Sequence, residues 1–370
     1  MYDQLQSRAN QWKLVRAAIV SALLVVGSVG FTLLGGEAAA RLAGYRGVEQ
    51  YVPDDELGWI LESGQATVTS VGRLPVTINA QGFRDDPLPS TKPPATIRIF
   101  ALGASTTFGW GVRQDQTYHQ VLERMLNDSA RVTGYATRFE IVNAGVIGYN
   151  MWQVGRVMRR VAAGYQPDGV IVAYTFNDGW NQAGRLDTKE RDRLRAGVRR
   201  KNLLRSSALF NWLTDFRAHR MARLAQRGGA ADALAIAQTA DTTASAAELA
   251  AYSATIDSII RAAHELRLAL AFVIPSVRGN PDVNQRQQVL IDGGRAAGLP
   301  LVRLGPPVGP EEQDSLYLSG DAVHPTPRGH ALMARHMYAV LCDFAGRAAE
   351  ADPARIYLAG CGAELHKRRL

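Results

Sequence analysis

The chain has 370 residues, 46% of them hydrophobic, and a formal net charge of +8. That is ample apolar material for a sizeable core, which excludes a disordered or fibrous chain. The surplus charge is local: residues 185–227 carry thirteen Lys and Arg against four acids, so the basicity belongs to one region and not to the body.

Residues 17–36 form an uncharged run, AAIVSALLVVGSVGFTLLGG. Twenty residues at helical rise cross a bilayer core. Arg8, Lys13 and Arg16 precede the run, so the positive-inside rule puts residues 1–16 in the cytoplasm and the rest outside it, which is the periplasm if the cell is Gram-negative. The competing reading is a signal peptide cleaved near Ala38-Ala39-Ala40, although the apolar run exceeds a usual signal core. Residues 37–94 then read as a juxtamembrane lead-in, with strand-like pieces at 66–71 and 74–79 and a Pro-rich connection at its end.

From residue 95 the pattern alternates between apolar strands and amphipathic helices. Strands are predicted at 97–102, 139–143, 169–174, 268–274 and 301–302. Helices are predicted at 118–127, 151–163, 246–266, 285–297 and from Pro327 to about Leu341. Such alternation implies an α/β fold with a parallel sheet covered on both sides. An insertion at 184–245 interrupts it, Arg-rich in its first half and Ala/Thr-rich in its second. This insertion reads either as a solvated helical cap or as a basic surface facing anionic lipid or glycan. Nucleic acid is not an expected partner for a domain outside the membrane. Cys342 and Cys361 could form one bridge or remain two buried thiols. No Cys/His cluster has metal-ligand spacing and no Gly-rich loop would cradle a phosphate, so no metal or cofactor is expected.

Four polar loops fall at the carboxyl ends of predicted strands: Ser105 after the first, residues 143–150 after the second, Thr175-Phe176-Asn177-Asp178 after the third, and Asp321-Ala322-Val323-His324-Pro325 before the last helix. A parallel sheet gathers such loops along one edge. Alone, Ser105 or a following Thr reads first as a helix cap, and Asn177-Asp178 could be only a turn after a strand. Together they offer a hydroxyl nucleophile in Ser105, a base in His324 and an acid to orient it in Asp321. Backbone N–H groups at Ser105 and Gly148 and the Asn177 side-chain amide would serve as oxyanion donors.

The ordered set Gly103-Ala104-Ser105, Gly148, Asn177-Asp178 and Asp321-x-x-His324-Pro325 resembles the four blocks of the SGNH (GDSL-type) hydrolase superfamily. The resemblance covers about residues 95–345. It implies a three-layer flavodoxin-like fold with Ser105, His324 and Asp321 as catalytic triad and Gly148 and Asn177 in the oxyanion hole. Leu57-Gly58-Trp59 and Asn79-x-x-Gly82-Phe83-Arg84-Asp85 resemble the lead-in of membrane-anchored members, which are often tied to cell-surface polysaccharide modification. Two positions depart from the family: Ala104 replaces the Asp of GDS, and Thr175 replaces the Gly two residues before the block-three Asn.

The expected organisation is therefore a cytoplasmic segment 1–16, a transmembrane helix 17–36, a lead-in 37–94, a hydrolase-like domain 95–345 and a tail 346–370. The expected activity is hydrolysis of an acyl ester on a carbohydrate or lipid. Transfer of the acyl group to a glycan hydroxyl, or a silent glycan-binding module, are the alternatives.

Overall fold

The structure, a computed structural model, describes residues 2–89, 91–132, 134, 136–179, 188–228, 244–278, 283–303, 312, 315–319 and 321–351. Its first helix, α1 (Tyr2–Leu42), contains the whole uncharged run and extends it at both ends, where Gln, Arg, Leu, Glu and Ala are good helix formers. The stretch Val15–Leu42 is long and apolar enough to cross a membrane, a property shared with signal sequences. Leu23, Leu24, Val26, Phe31 and Leu34 are all exposed along it.

The lead-in folds into two antiparallel pairs, β1 (Tyr51–Asp54) with β2 (Gly58–Leu61), and β3 (Ala66–Val68) with β4 (Pro75–Thr77). The second pair is shorter than the sequence suggested. The first was not foreseen: only 66–71 and 74–79 read as strand-like in the lead-in, and Pro53 is unfavourable within a strand. Asp54 makes the turn instead, its carboxylate accepting from the N–H groups of Glu56 and Leu57 at 2.9 and 2.7 Å.

Five parallel strands form the main sheet: β5 (Thr96–Leu102), β6 (Arg138–Asn143), β7 (Gly169–Ala173), β8 (Ala269–Ile274) and β9 (Leu301–Arg303), in the order β6-β5-β7-β8-β9. This is the flavodoxin-like order, in which the chain reverses direction across the sheet beside its first strand. The helices are α2 (Ser105–Phe108), α3 (Tyr118–Val132), α4 (Met151–Tyr165), α5 (Thr188–Ser206), α6 (Ala208–Gly228), α7 (Ala246–Glu265), α8 (Gln285–Ala296) and α9 (Pro327–Ala351).

Strand periodicity splits the core in two. Phe100, Leu102, Val170, Val172 and Phe272 face Val154 and Met158 of α4, Ile256 and Ile259 of α7, and Leu290 of α8. Ile99, Ala101, Ile171 and Val273 face Leu122 and Leu126 of α3 and Met333 and Met337 of α9. Arg98 is the one cation within β5. It is fully buried, its Nε donating to the Glu140 carboxylate at 2.6 Å and its Nη1 to the Tyr165 carbonyl at 2.8 Å. α9 runs past the predicted end near Leu341 and past residue 345, since nothing in its Ala-rich sequence stops a helix before Pro353. Cys342 is buried on α9, and Cys361 lies outside the described residues.

The insertion is more than a solvated cap. The Glu37 carboxylate accepts from the Ser207 hydroxyl at 2.7 Å and from the backbone N–H groups of Ala208 and Leu209 at 3.0 and 2.9 Å, capping α6 with a residue of α1. Asn211 donates to the Arg46 carbonyl at 2.8 Å, and Tyr45 to Asp215 at 2.9 Å. Arg205 pairs at 2.9 Å with Glu49, which is fully buried and also accepts from Ser70. α5 and α6 thus grip the segment joining α1 to the sheet. The Ala/Thr-rich half of the insertion, 229–243, lies outside the described residues.

Candidate active site

β5 delivers its chain end to the sheet edge at the reversal point, and α2 starts there with Ser105. The Ser105 carbonyl accepts from Gly109 N–H and Trp110 N–H, each at 3.0 Å, closing a tight turn that leaves the Ser105 side chain at the edge. The loop before α9 brings His324 to it. His324 Nε2 lies 2.7 Å from Ser105 Oγ, and His324 Nδ1 lies 2.7 Å from Asp321 Oδ2.

Asp321 Oδ1 accepts from the backbone N–H groups of Val323 and His324 at 2.7 and 2.9 Å, so one carboxylate oxygen shapes the loop while the other faces the ring. Burial pushes the Asp321 pKa up, but the hydrogen bond and positive charge of His324 outweigh it and hold the carboxyl below its ordinary range. An ionised Asp321 only accepts, which assigns the proton to Nδ1 and leaves Nε2 free to accept from the Ser105 hydroxyl. Three residues predicted from distant parts of the sequence thus form one hydrogen-bonded chain.

The loop after β6 is pressed onto α2. Asn143 donates through its amide to the Phe108 carbonyl at 3.2 Å and accepts from Gly145 N–H at 3.0 Å. A Cβ on Gly145 would stand 2.4 Å from the Phe108 nitrogen, so only glycine permits this approach. Gly148 has a φ of 85°, the left-handed region, which turns the loop toward Tyr149. Asn177 Nδ2 donates to the Tyr149 carbonyl at 2.7 Å, tying the loop after β7 to the residue following Gly148. Gly148 and Asn177, two of the three expected oxyanion donors, thus sit on adjoining, mutually bonded loops. Asp178 accepts from Met151 N–H at the start of α4, and the hydroxyl of Thr175, a departure from the family, donates to it at 2.6 Å.

The lead-in supports both loops. The fully buried Arg84 donates to the carbonyls of Phe108, Gly109 and Val112 at 2.8, 2.6 and 2.7 Å, gripping the end of α2. Burial pulls its pKa down to about 10, which still leaves it charged at neutral pH. Next to it, Asp85 accepts from Asn143 N–H at 2.8 Å. Trp59 donates to the Ile147 carbonyl at 3.2 Å and its own carbonyl accepts from the Tyr149 hydroxyl at 2.5 Å. Gln153 reaches the Leu57 carbonyl at 2.6 Å. The resemblance singled out Leu57-Gly58-Trp59 and Arg84-Asp85 without a role; each is a brace for a loop at this edge.

Sequence reasoning passed over Trp110, whose ring stands against His324. Its only signal was a large aromatic between Gly109 and Gly111, five residues beyond the candidate nucleophile. Among the described residues no group of three or more His, Cys, Asp or Glu is arranged to hold a metal ion.

The sequence profile of the GDSL-like Lipase/Acylhydrolase family matches residues 101–332, which span all four loops. No curated protein matches the chain. Among solved structures, the psychrotrophic esterase EstA from Pseudoalteromonas sp. is similar at 11% identity over 67% of this chain and 97% of its own, with a TM-score of 0.38. Axe2, an acetylxylan esterase from Geobacillus stearothermophilus, is similar at 16% identity over 66% of this chain and 94% of its own, with a TM-score of 0.41. A lipolytic protein of the G-D-S-L family from Desulfitobacterium hafniense is similar at 11% identity over 66% and 98%, with a TM-score of 0.37.

Proposed function

Since the chain belongs to the GDSL-like lipase/acylhydrolase family and is an ester-hydrolysing serine enzyme, we propose that Ser105 is its nucleophile, His324 its general base and acid, and Asp321 the group that orients His324. The observation that carries this reading is the unbroken chain from Asp321 Oδ2 through the imidazole to Ser105 Oγ, both links at 2.7 Å. His324 takes the Ser105 proton as Oγ attacks the ester carbonyl, and Asp321 stabilises the imidazolium that forms. The tetrahedral oxyanion is held by the Ser105 and Gly148 N–H groups and the Asn177 amide. His324 returns its proton to the leaving alcohol, giving an acyl-Ser105 ester that water cleaves by the reverse route.

The setting we infer is a single-pass membrane protein with its catalytic domain outside the cytoplasm. The exposed apolar helix α1 and the cations Arg8, Lys13 and Arg16 before its uncharged run support it. A substrate met there is an O-acyl ester of a surface carbohydrate or lipid, with acetyl the first acyl group to try. Labelling of the full chain by a fluorophosphonate, together with hydrolysis of short acyl p-nitrophenyl esters, tests the chemistry. Labelling that persists in Ser105→Ala puts the nucleophile elsewhere. A reporter active only in the cytoplasm, fused after Leu370, should stay silent; a strong signal overturns the orientation.

A further inference from the structure

We propose that the corner between α5 and α6 is a second membrane contact, seated on the anionic surface of the bilayer that α1 enters. This rests on α1 being a membrane span. Among the described residues, seven large hydrophobic side chains outside α1 are exposed, and five of them are here: Leu203, Leu204, Trp212, Leu213 and Phe216. Leu203 is 73% exposed and Phe216 52%, values at odds with an ordinary solvated helix.

Their depth follows from the fold. Glu37 is the first charged residue after the uncharged run, so it marks where hydrocarbon gives way to headgroups. That same carboxylate caps α6, which therefore begins at the interface. Leu209, in the first turn of α6, lies against Gly36, close enough that a Cβ there would be 3.1 Å from its Cδ2. Residues 209, 212, 213 and 216 share one helix face by spacing, so the stripe on α6 continues from the apolar surface of α1. Trp212 and Phe216 stack within it, ring centroids 6.2 Å apart; aromatic rings concentrate at this level of a bilayer. Exposed Arg199, Arg200 and Lys201 precede the corner and exposed Arg217 and Arg220 follow it, the cationic border that anionic headgroups attract. Apolar continuity with α1 and the flanking charge together select a lipid surface as the occupant.

The contact would hold the catalytic edge at a set orientation to the membrane. α5 also packs on the β1–β2 hairpin through Val198 and Leu194, and that hairpin braces the Gly148 loop through Trp59.

The test uses the full chain reconstituted in phosphatidylcholine–phosphatidylglycerol vesicles, with the emission of Trp212 taken as the difference between wild type and Trp212→Phe. Brominated lipids act as quenchers. The Trp212 component should be blue-shifted and lose more intensity to lipids brominated near the headgroup than to those brominated at the chain end. It should shift further as phosphatidylglycerol increases, a dependence lost when Arg199, Arg200 and Lys201 are replaced by Ser. Water-like, unquenched emission in a protein that resists alkaline carbonate extraction overturns the corner contact and leaves the span intact. Extraction by carbonate overturns the span, and the corner contact with it. A blue shift that grows with protein density but is not quenched by bromine assigns the surface to a second copy of the chain and also overturns the proposal.

Discussion

The Trp110 indole stands edge-on to the His324 imidazole, ring centroids 4.3 Å apart and planes at 70°. The same residue donates its backbone N–H to the Ser105 carbonyl at 3.0 Å, so one side chain and its backbone hold the two ends of the Ser105–His324 hydrogen bond. Its indole N–H is in turn anchored on the Ser70 hydroxyl at 3.2 Å. An edge-to-face aromatic contact contributes about 0.5–1.5 kcal/mol. Trp110→Ala should therefore lower kcat up to about tenfold and slow fluorophosphonate labelling in step, with Trp110→Phe recovering most of the loss. Equal labelling rates in wild type and Trp110→Ala would reduce the ring to packing.

Ser105→Ala and His324→Ala should each abolish nearly all esterase activity while the urea midpoint stays within the range of a surface change. The double variant should be barely slower than either single, because the two side chains act as one unit. Asp321→Asn should fall almost as far: an amide at Oδ2 would donate toward Nδ1 and reverse the imidazole tautomer. Additive losses in the double variant would mean that the residues act in separate steps.

Much of this geometry was legible in the sequence. Each main-sheet strand announces itself as a short β-branched or apolar run, and Ser105, Asn177 and Asp321-x-x-His324 follow such runs or precede a helix start. The braces were not legible. Arg84 donates to three backbone carbonyls, and carbonyl acceptors leave no trace in side-chain patterns. The grip of the insertion on the stem joins Glu37 to Ser207 and Glu49 to Arg205, pairs 170 and 156 residues apart, and no local periodicity encodes them. The β1–β2 hairpin was hidden by Pro53, tolerated because the strand pairs on one side only.

Asn177→Ala should keep fluorophosphonate labelling of Ser105 but lose roughly 10²–10³ in turnover, the usual effect of one missing oxyanion donor. The loss should fall on kcat with KM little changed. Because Asn177 also ties its loop to the Tyr149 carbonyl, Asn177→Asp is the companion variant. It keeps the size of the side chain but removes the amide donor from both the loop tie and the oxyanion hole, so full activity in it would remove Asn177 from the oxyanion hole.

Arg84→Met keeps most of the side-chain volume but removes three hydrogen bonds donated by a buried cation and takes from the Val112 carbonyl its donor, while the Phe108 carbonyl keeps the Asn143 amide, for a loss of about 3 kcal/mol in urea unfolding. Arg84→Lys should recover only part of it, since one ammonium cannot reproduce a planar fork aimed at three acceptors. A variant as stable as wild type would mean that the end of α2 is held without Arg84.

Buried ionisable groups beside the site should make stability depend on pH in two opposed ways. Burial, helped by the charge of Arg84, drops the His330 pKa to about 3, and burial with neighbouring His330 and Arg84 holds His119 well below its ordinary 6.5. Below pH 6.5 the unfolded chain takes up protons that these folded imidazoles refuse, so stability falls as pH falls. Burial raises Asp85 to about 7 against the pull of the N–H groups of Asn143 and Asp86, with the charges of Glu123 and Asp86 adding to the rise. Here the folded chain keeps a proton that the unfolded chain releases near 3.8, so this contribution is whole below that pH and is lost as pH climbs through about 7. Variants separate the two. The stability of Asp85→Asn relative to wild type should rise between pH 4 and 8. That of His330→Asn, whose Oδ1 can replace the ring nitrogen that accepts from Tyr118 N–H, should rise as pH falls below 6.5. Urea midpoints across this range measure both. Parallel curves for wild type and Asp85→Asn would show that Asp85 titrates as an ordinary carboxyl, and that the link it makes between the lead-in and the Asn143 loop is held by a permanent charge.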